Sequence, residues 1–408
     1  MNKLGNLKSL FYLPSFYGFV TLSLTYFIYN LQVIEFGFLS IITHFVIFSA
    51  ILSFLISTIV FYALYNSTLL SIEFPSFSVK KWVLLFFYSV SFFGVYLYVR
   101  EFVSFYGSLS AYVLIFFSDN SSQLRAYSEI ASDTIGVQLT YFGWIALGLN
   151  TFYFLKSRIS KFWYVPYFLT FVSNFLFIDR TRPIWIILII SFIAFFVKAN
   201  ELAINQLLKR VTLLAFAFIL LFISIGALAG KTTDEKLYNG WDISPNSQNV
   251  IFYLTSSFFY LDYLILNKDP DYRLDRTIYP FLKSMNIFGF SDRKPTSLVN
   301  EFLGYPYQTN VGTFLEPFYS DFGLFYVLVG ILVHAFLLNA LAIFFLRMRS
   351  PYSIFVASNI CVVNFFVFFT PKINNFPIWL FLFLGLLSVL RNFFSKLFYV
   401  KEEDSLLY

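Results

Sequence analysis

At 408 residues, 59% hydrophobic and only 12% charged, the chain carries about half the charge of an ordinary soluble domain. Its net charge of +6 comes from Lys and Arg beside apolar runs, where they set topology and are no nucleic-acid signal. One cysteine, Cys361, excludes an internal disulfide, and the only two histidines, His44 and His334, both lie in apolar runs, which gives no basis for a His/Cys metal site.

The apolar runs are continuous and helix-length, without the alternation over about ten residues that a transmembrane barrel needs. The sequence therefore predicts an all-α polytopic membrane protein, residues 1–408 forming a single integral-membrane domain. An uncleaved first span covers Phe11–Tyr29, behind Lys3 and Lys8. Spans two and three are Phe38–Leu64 and Trp82–Tyr98, with Lys80-Lys81 between them. A charged segment, Arg100–Asp133, follows and includes Arg125.

Span four is Ile135–Leu155, and spans five and six are Phe162–Ile178 and Ile184–Val197. Span seven is Val211–Ala229. One long loop, residues 230–321, is broken by prolines. Its apolar stretch Val250–Leu266 contains Thr255, Ser256, Ser257 and Asp262 and reads as a surface or re-entrant helix. Spans eight, nine and ten are Phe322–Leu346, Tyr352–Thr370 and Phe376–Leu390.

With both termini inside, every inside connection carries at least two basic residues, and Lys and Arg obey the positive-inside rule. The exception is Asp179-Arg180-Thr181-Arg182-Pro183, an outside knot between two spans. Arg near hydrocarbon is expensive without water or a partner, and its planar fork suits phosphate. The rival reading of Arg180 and Arg182 is snorkelling and pairing with Asp179.

The outside face also holds Arg125, Arg273 and Arg276, and a stretch containing Tyr305, Thr309, Asn310, Thr313, Glu316, Tyr319 and Asp321. Carboxylates, amides, hydroxyls and rings suit a carbohydrate, and arginines suit its phosphate. No nucleotide-binding glycine motif is present, so an activated lipid-linked substrate is the expected energy source. Asp321 has a competing role as N-cap of span eight. Glu316 has one as a solvated acid, and Arg273 and Arg276 have one as partners of Asp271 and Asp275.

The run Thr309-Asn310-Val311-Gly312-Thr313, then Tyr319-Ser320-Asp321-Phe322-Gly323 entering an apolar helix, resembles the oligosaccharide repeat-unit polymerases. These are the O-antigen and capsule polymerases called Wzy. The Arg-Thr-Arg knot and the single large external loop are similar too. The resemblance implies a GT-C-like, metal-independent glycosyltransferase without cofactors in a bacterial inner membrane, working on the periplasmic face. Its partners would be undecaprenyl-diphosphate-linked glycans, the lipid bilayer and a chain-length regulator.

In that reading Glu316, Asp321, Arg180 and Arg182 are catalytic. Arg125, Arg273, Arg276, Tyr305, Thr309, Asn310, Thr313 and Tyr319 bind diphosphate or glycan. The O-antigen ligases are similar but often use a loop histidine, which is lacking here outside. A lipid-linked oligosaccharide flippase is the alternative from another class, and a scaffold for glycan export is a third.

Overall fold

The computed structural model describes residues 7–70, 72–73, 80–116, 134–156, 160–177, 181–199, 201, 206, 209, 245–287, 289–290, 303, 309, 311–369 and 372–398. It is 83% helical and has no strand among them. Leu303 and Thr309 form an isolated antiparallel bridge. The helices are α1 (Pro14–Asn30), α2 (Ile41–Leu70), α3 (Lys81–Tyr106), α4 (Leu109–Phe116), α5 (Ile135–Lys156) and α6 (Tyr164–Ser173). Then follow α7 (Thr181–Lys198), α8 (Pro245–Asn267), α9 (Tyr279–Ile287), α10 (Glu316–Arg347), α11 (Pro351–Phe365) and α12 (Phe376–Phe398).

Among the described residues, five helical stretches are long and apolar enough to cross a membrane: Ile41–Leu69, Lys81–Tyr106, Thr181–Lys198, Val250–Asn267 and Val327–Arg347. Pro351–Phe365 and Phe376–Leu390 are shorter apolar helices. The chain thus has transmembrane-helix character. The predicted span seven, Val211–Ala229, lies outside the described residues, as do residues 230–244 and 291–302 of the long loop.

Span five differs from expectation. In place of one helix, Phe162–Ile178 gives a 3-10 turn at Lys161–Trp163, α6, and a second 3-10 turn at Asn174–Phe177. The cause is local. The Thr170 carbonyl accepts from Ser173 Oγ at 2.8 Å and Asn174 Nδ2 at 2.8 Å, so side chains compete for an acceptor the helix would use. Asn174 Oδ1 in turn accepts from Trp144 Nε1 at 2.9 Å, tying the break to α5.

Polar side chains lock the apolar helices together, because shape alone discriminates poorly among apolar faces. Asn339 of α10 donates to Ser15 Oγ at 2.6 Å and Ser57 Oγ at 2.9 Å and accepts from the Ser15 amide at 2.9 Å, joining α1, α2 and α10. Trp185 Nε1 donates to Asn359 Oδ1 at 3.0 Å, joining α7 to α11. On α3 and α5 the backbones touch: a Cβ at Gly94 would stand 2.6 Å from the Gly136 carbonyl oxygen.

The bundle has two chemically distinct ends. At one, Lys8 Nζ donates to the Ala199 carbonyl at 3.4 Å, Glu201 pairs with Lys198 at 2.7 Å and Lys156 at 3.9 Å, and Arg347 lies 4.7 Å from the Tyr65 ring centroid. At the other, Asp262 accepts from Ser40 Oγ at 2.7 Å, and the loop around Arg276 meets the start of α10. The residues that the charge count assigns to opposite sides of a membrane thus gather at opposite ends.

Helix α8 runs across the second end. Its first half lies beside Thr181 and Ile184 at the start of α7. Its middle donates from Ser257 Oγ to the Phe368 carbonyl, and the Phe36 ring meets both Phe252 at 5.6 Å and Phe259 at 5.5 Å. Its last turns meet Ser40 and Tyr319. The sequence predicts a surface or re-entrant helix here; the stretch is long and apolar enough to cross a membrane, and both of its ends make contacts at this end of the bundle.

Candidate functional site

The site begins with a reversal. Gly323 has φ 77° and ψ −171° inside α10, a backbone region open essentially to glycine. A Cβ on Gly330 would stand 2.6 Å from Phe318 Cγ. Residues 12 apart in a straight helix are separated by about 18 Å, so the halves of α10 double back on one another. The Phe314 and His334 rings, with centroids 4.9 Å apart, continue the same antiparallel register.

The segment before Gly323 therefore folds back along the second half of α10. Phe314 also packs on Phe54 at 5.5 Å, which lies about 20 Å along α2 from its start. The backbone here is satisfied internally, as burial demands. Phe314 N donates to the Val367 carbonyl at 3.0 Å, Leu315 N to Thr313 Oγ1 at 3.2 Å, and Glu316 N to the Thr313 carbonyl at 3.2 Å. Glu316 and Pro317 then open the helix, an acid and a proline suited to a first turn.

Glu316 is 2% exposed. Its Oε1 pairs with Arg276 Nη1 and accepts from Ser320 Oγ at 3.2 Å. Asp321 is 1% exposed. It accepts from the backbone amides of Arg276 at 3.2 Å and Thr277 at 2.7 Å. Burial pushes the Asp321 carboxyl above its ordinary value, against the opposing pull of those donors and of Arg276.

Asp321 does cap backbone amides, but those of the turn leading into α9 and not those of its own helix, because α10 already begins at Glu316. Arg276 pairs with Glu316, 40 residues away. Arg273 is exposed on the same turn. Asn374, at 2% exposure, donates from Nδ2 to the Arg276 carbonyl at 2.6 Å.

The knot is partly described. Arg182 sits in the first turn of α7, 6% exposed. It donates from Nη1 to Thr140 Oγ1 at 3.1 Å and from Nη2 to Tyr141 OH at 3.0 Å. Its guanidinium carbon lies 4.2 Å from the Phe177 ring centroid and 4.7 Å from that of Tyr141. One turn on, the Trp185 ring stacks on Phe366 at 5.5 Å, and Lys372 Nζ stands 5.9 Å from each ring. The turn carrying Lys372 and Asn374 thus touches both the knot's helix and the Arg276 loop.

Beside this turn lies an apolar recess lined by Thr181, Ile184, Val250, Tyr253, Leu254, Phe366, Phe368 and Phe369. It sits between α7, α8 and the chain leaving α11. One end of the bundle thus holds a buried acid paired with a half-buried arginine, and an apolar recess.

Three of the predicted glycan contacts have other partners. Thr313 is buried and turns the chain into α10. Thr309 is buried, its Oγ1 accepting from Val311 N at 3.3 Å. Tyr319 donates to the Ile265 and Lys268 carbonyls at 3.3 and 3.0 Å, satisfying orphan acceptors at the end of α8. Asp179, Arg180, Arg125, Tyr305 and Asn310 lie outside the described residues. Among the described residues no set of three His, Cys, Asp or Glu gathers as metal ligands.

Sequence reasoning missed Asn374, Lys372 and the pair Thr140–Tyr141. The one available signal was a Lys and two Asn in the short turn between the last two apolar runs. Compared with protein-family models, curated proteins and solved structures, the chain finds no match in any of the three.

Proposed function

We propose that the protein is a polymerase of lipid-linked oligosaccharide repeat units, a glycosyltransferase with its site at the Glu316 end of the bundle, facing the periplasm in a bacterial inner membrane. The observation that carries the reading is the pair between the half-buried Arg276 and the buried Glu316, with an apolar recess at the same end of the bundle. A base and a cation at the membrane surface are what transfer from a lipid diphosphate needs. The ten-span count and GT-C-like architecture belong to the same proposal.

In the reaction the acceptor hydroxyl oxygen attacks the anomeric carbon of the growing glycan. The bond from that carbon to the diphosphate oxygen breaks, and its electron pair leaves with the undecaprenyl diphosphate. The hydroxyl proton passes to the Glu316 carboxylate. Arg276, with Arg180 of the knot, stabilises the charge developing on the diphosphate, a role for which preorganised donors suffice. Arg182 holds the knot against α5 through Thr140 and Tyr141.

The ion pair has a consequence for timing. A carboxylate bonded to a guanidinium is a poor base, because taking up a proton costs the attraction. An incoming diphosphate competes for Arg276 and frees the Glu316 carboxylate to take the proton when the acceptor is in place. Asp321 holds the Arg276 loop through its backbone amides. Chain-length control by a separate regulator is part of this reading.

The test is the surface glycan of a deletion strain. A polymerase leaves single repeats exported and long chains missing. Loss of all exported glycan would instead support the flippase reading, and long chains with free lipid-linked polymer the ligase reading.

A further inference from the structure

We propose that Asn374 is a positioning residue: it fixes the Arg276 peptide so that only the guanidinium swings between Glu316 and the phosphate oxygens of the substrate. The inference rests on the polymerase reading for its reaction, but its geometry stands apart from it.

The Arg276 backbone is held from two sides. Its amide donates to Asp321 Oδ1 at 3.2 Å, and its carbonyl accepts from Asn374 Nδ2 at 2.6 Å. The two holders come from distant parts of the chain, α10 and the turn between α11 and α12. Together they fix the direction in which the Arg276 side chain leaves the backbone. The side chain itself stays partly accessible, 17% exposed, while its partner Glu316 is buried.

The turn carrying Asn374 is itself anchored. Asn375 N donates to the Lys372 carbonyl at 3.1 Å, Trp379 Nε1 donates to the Ile373 carbonyl at 2.8 Å, and Lys372 faces the Trp185–Phe366 stack. A buried amide side chain on so fixed a turn reaches across 98 residues to a single carbonyl. A turn needing only stability would have no use for that reach; a guanidinium needing a fixed pivot has one.

The test compares purified full-length Asn374→Leu, near-isosteric but without the donor, with Asn374→Gln, which keeps it. Two readouts are used: binding of inorganic pyrophosphate, and turnover on a lipid-linked repeat unit. Asn374→Leu should weaken pyrophosphate binding roughly tenfold. It should lower kcat by a similar factor with little change in KM, as expected when a contact tightens in the transition state. Asn374→Gln should recover part of both losses. In an Arg276→Lys background the further effect of Asn374→Leu should fall below about twofold, since the two residues act as a unit.

Wild-type pyrophosphate binding in a folded Asn374→Leu, or an undiminished loss in the Arg276→Lys background, would overturn the proposal. No pyrophosphate binding by the wild type would overturn it too. A wild type that binds pyrophosphate in this Asn374-dependent way but never polymerises would overturn the polymerase reading and leave the positioning role standing.

Discussion

Residue by residue, the site is organised by burial. Glu316 and Asp321 sit five positions apart on the short stretch of α10 before Gly323, and both are buried, yet they do different work. Glu316 meets a cation, whereas Asp321 meets two neutral N–H donors. Folding therefore favours the protonated form of Asp321, whose value is raised above its ordinary 3.8 by burial. That stabilisation is full below the ordinary value and is lost as pH rises through the raised one. Thermal unfolding in detergent should show a contribution falling across that window in the wild type and absent in Asp321→Asn. Superimposable pH profiles would contradict it. Asp321→Ala strands two amides and should destabilise at every pH, by about 1–3 kcal/mol for each one left unpaired. The two acids were legible from the sequence as polar residues at the mouth of an apolar run. Their pairing with Arg276 was not, because the chain order keeps Arg276 40 residues from Glu316, and neither was Asn374, 98 residues from the Arg276 carbonyl it holds.

At the scale of elements, apolar run length located most of the helices, since run length is what a membrane reads. Two features escaped it. The break in the predicted fifth span depends on Thr170 being taken by two side chains, which an apolar count does not register. The reversal inside α10 depends on one residue, Gly323, in a run whose hydrophobicity continues on both sides. Gly330 gives the reversal a direct check. Gly330→Ala places a methyl against the Phe318 ring and should cost about 1–3 kcal/mol of stability, the usual range for overpacking. Adding Phe318→Ala to the same protein should restore much of it. A Gly330→Ala melting curve identical to wild type would mean the two halves of α10 do not pack together.

For the whole molecule, the segregation of charge makes a statement about orientation. Lys8, Lys156, Lys198, Glu201 and Arg347 gather at one end, and the Arg276–Glu316 centre lies at the other. The charge asymmetry was visible in the sequence; that it maps onto the ends of one bundle required the fold. Cys361 is the only cysteine and is buried, so a Cys361→Ala background is suited to single-cysteine labelling. A membrane-impermeant maleimide applied to intact spheroplasts should label Lys268→Cys and spare Glu201→Cys. The opposite pattern would turn the bundle over and put the site on the face where no periplasmic glycan is present.

The most direct test of the central claim is polymer formation by purified protein supplied only with a lipid-linked repeat unit. The wild type should build chains of several repeats, and Glu316→Gln, matched in shape but unable to take the proton, should be slower by roughly 10²–10⁴-fold. Its melting temperature is to be followed in parallel, so that a lost ion pair is not mistaken for lost chemistry. Wild-type turnover in a folded Glu316→Gln, or no polymer from the wild type at all, would contradict the account.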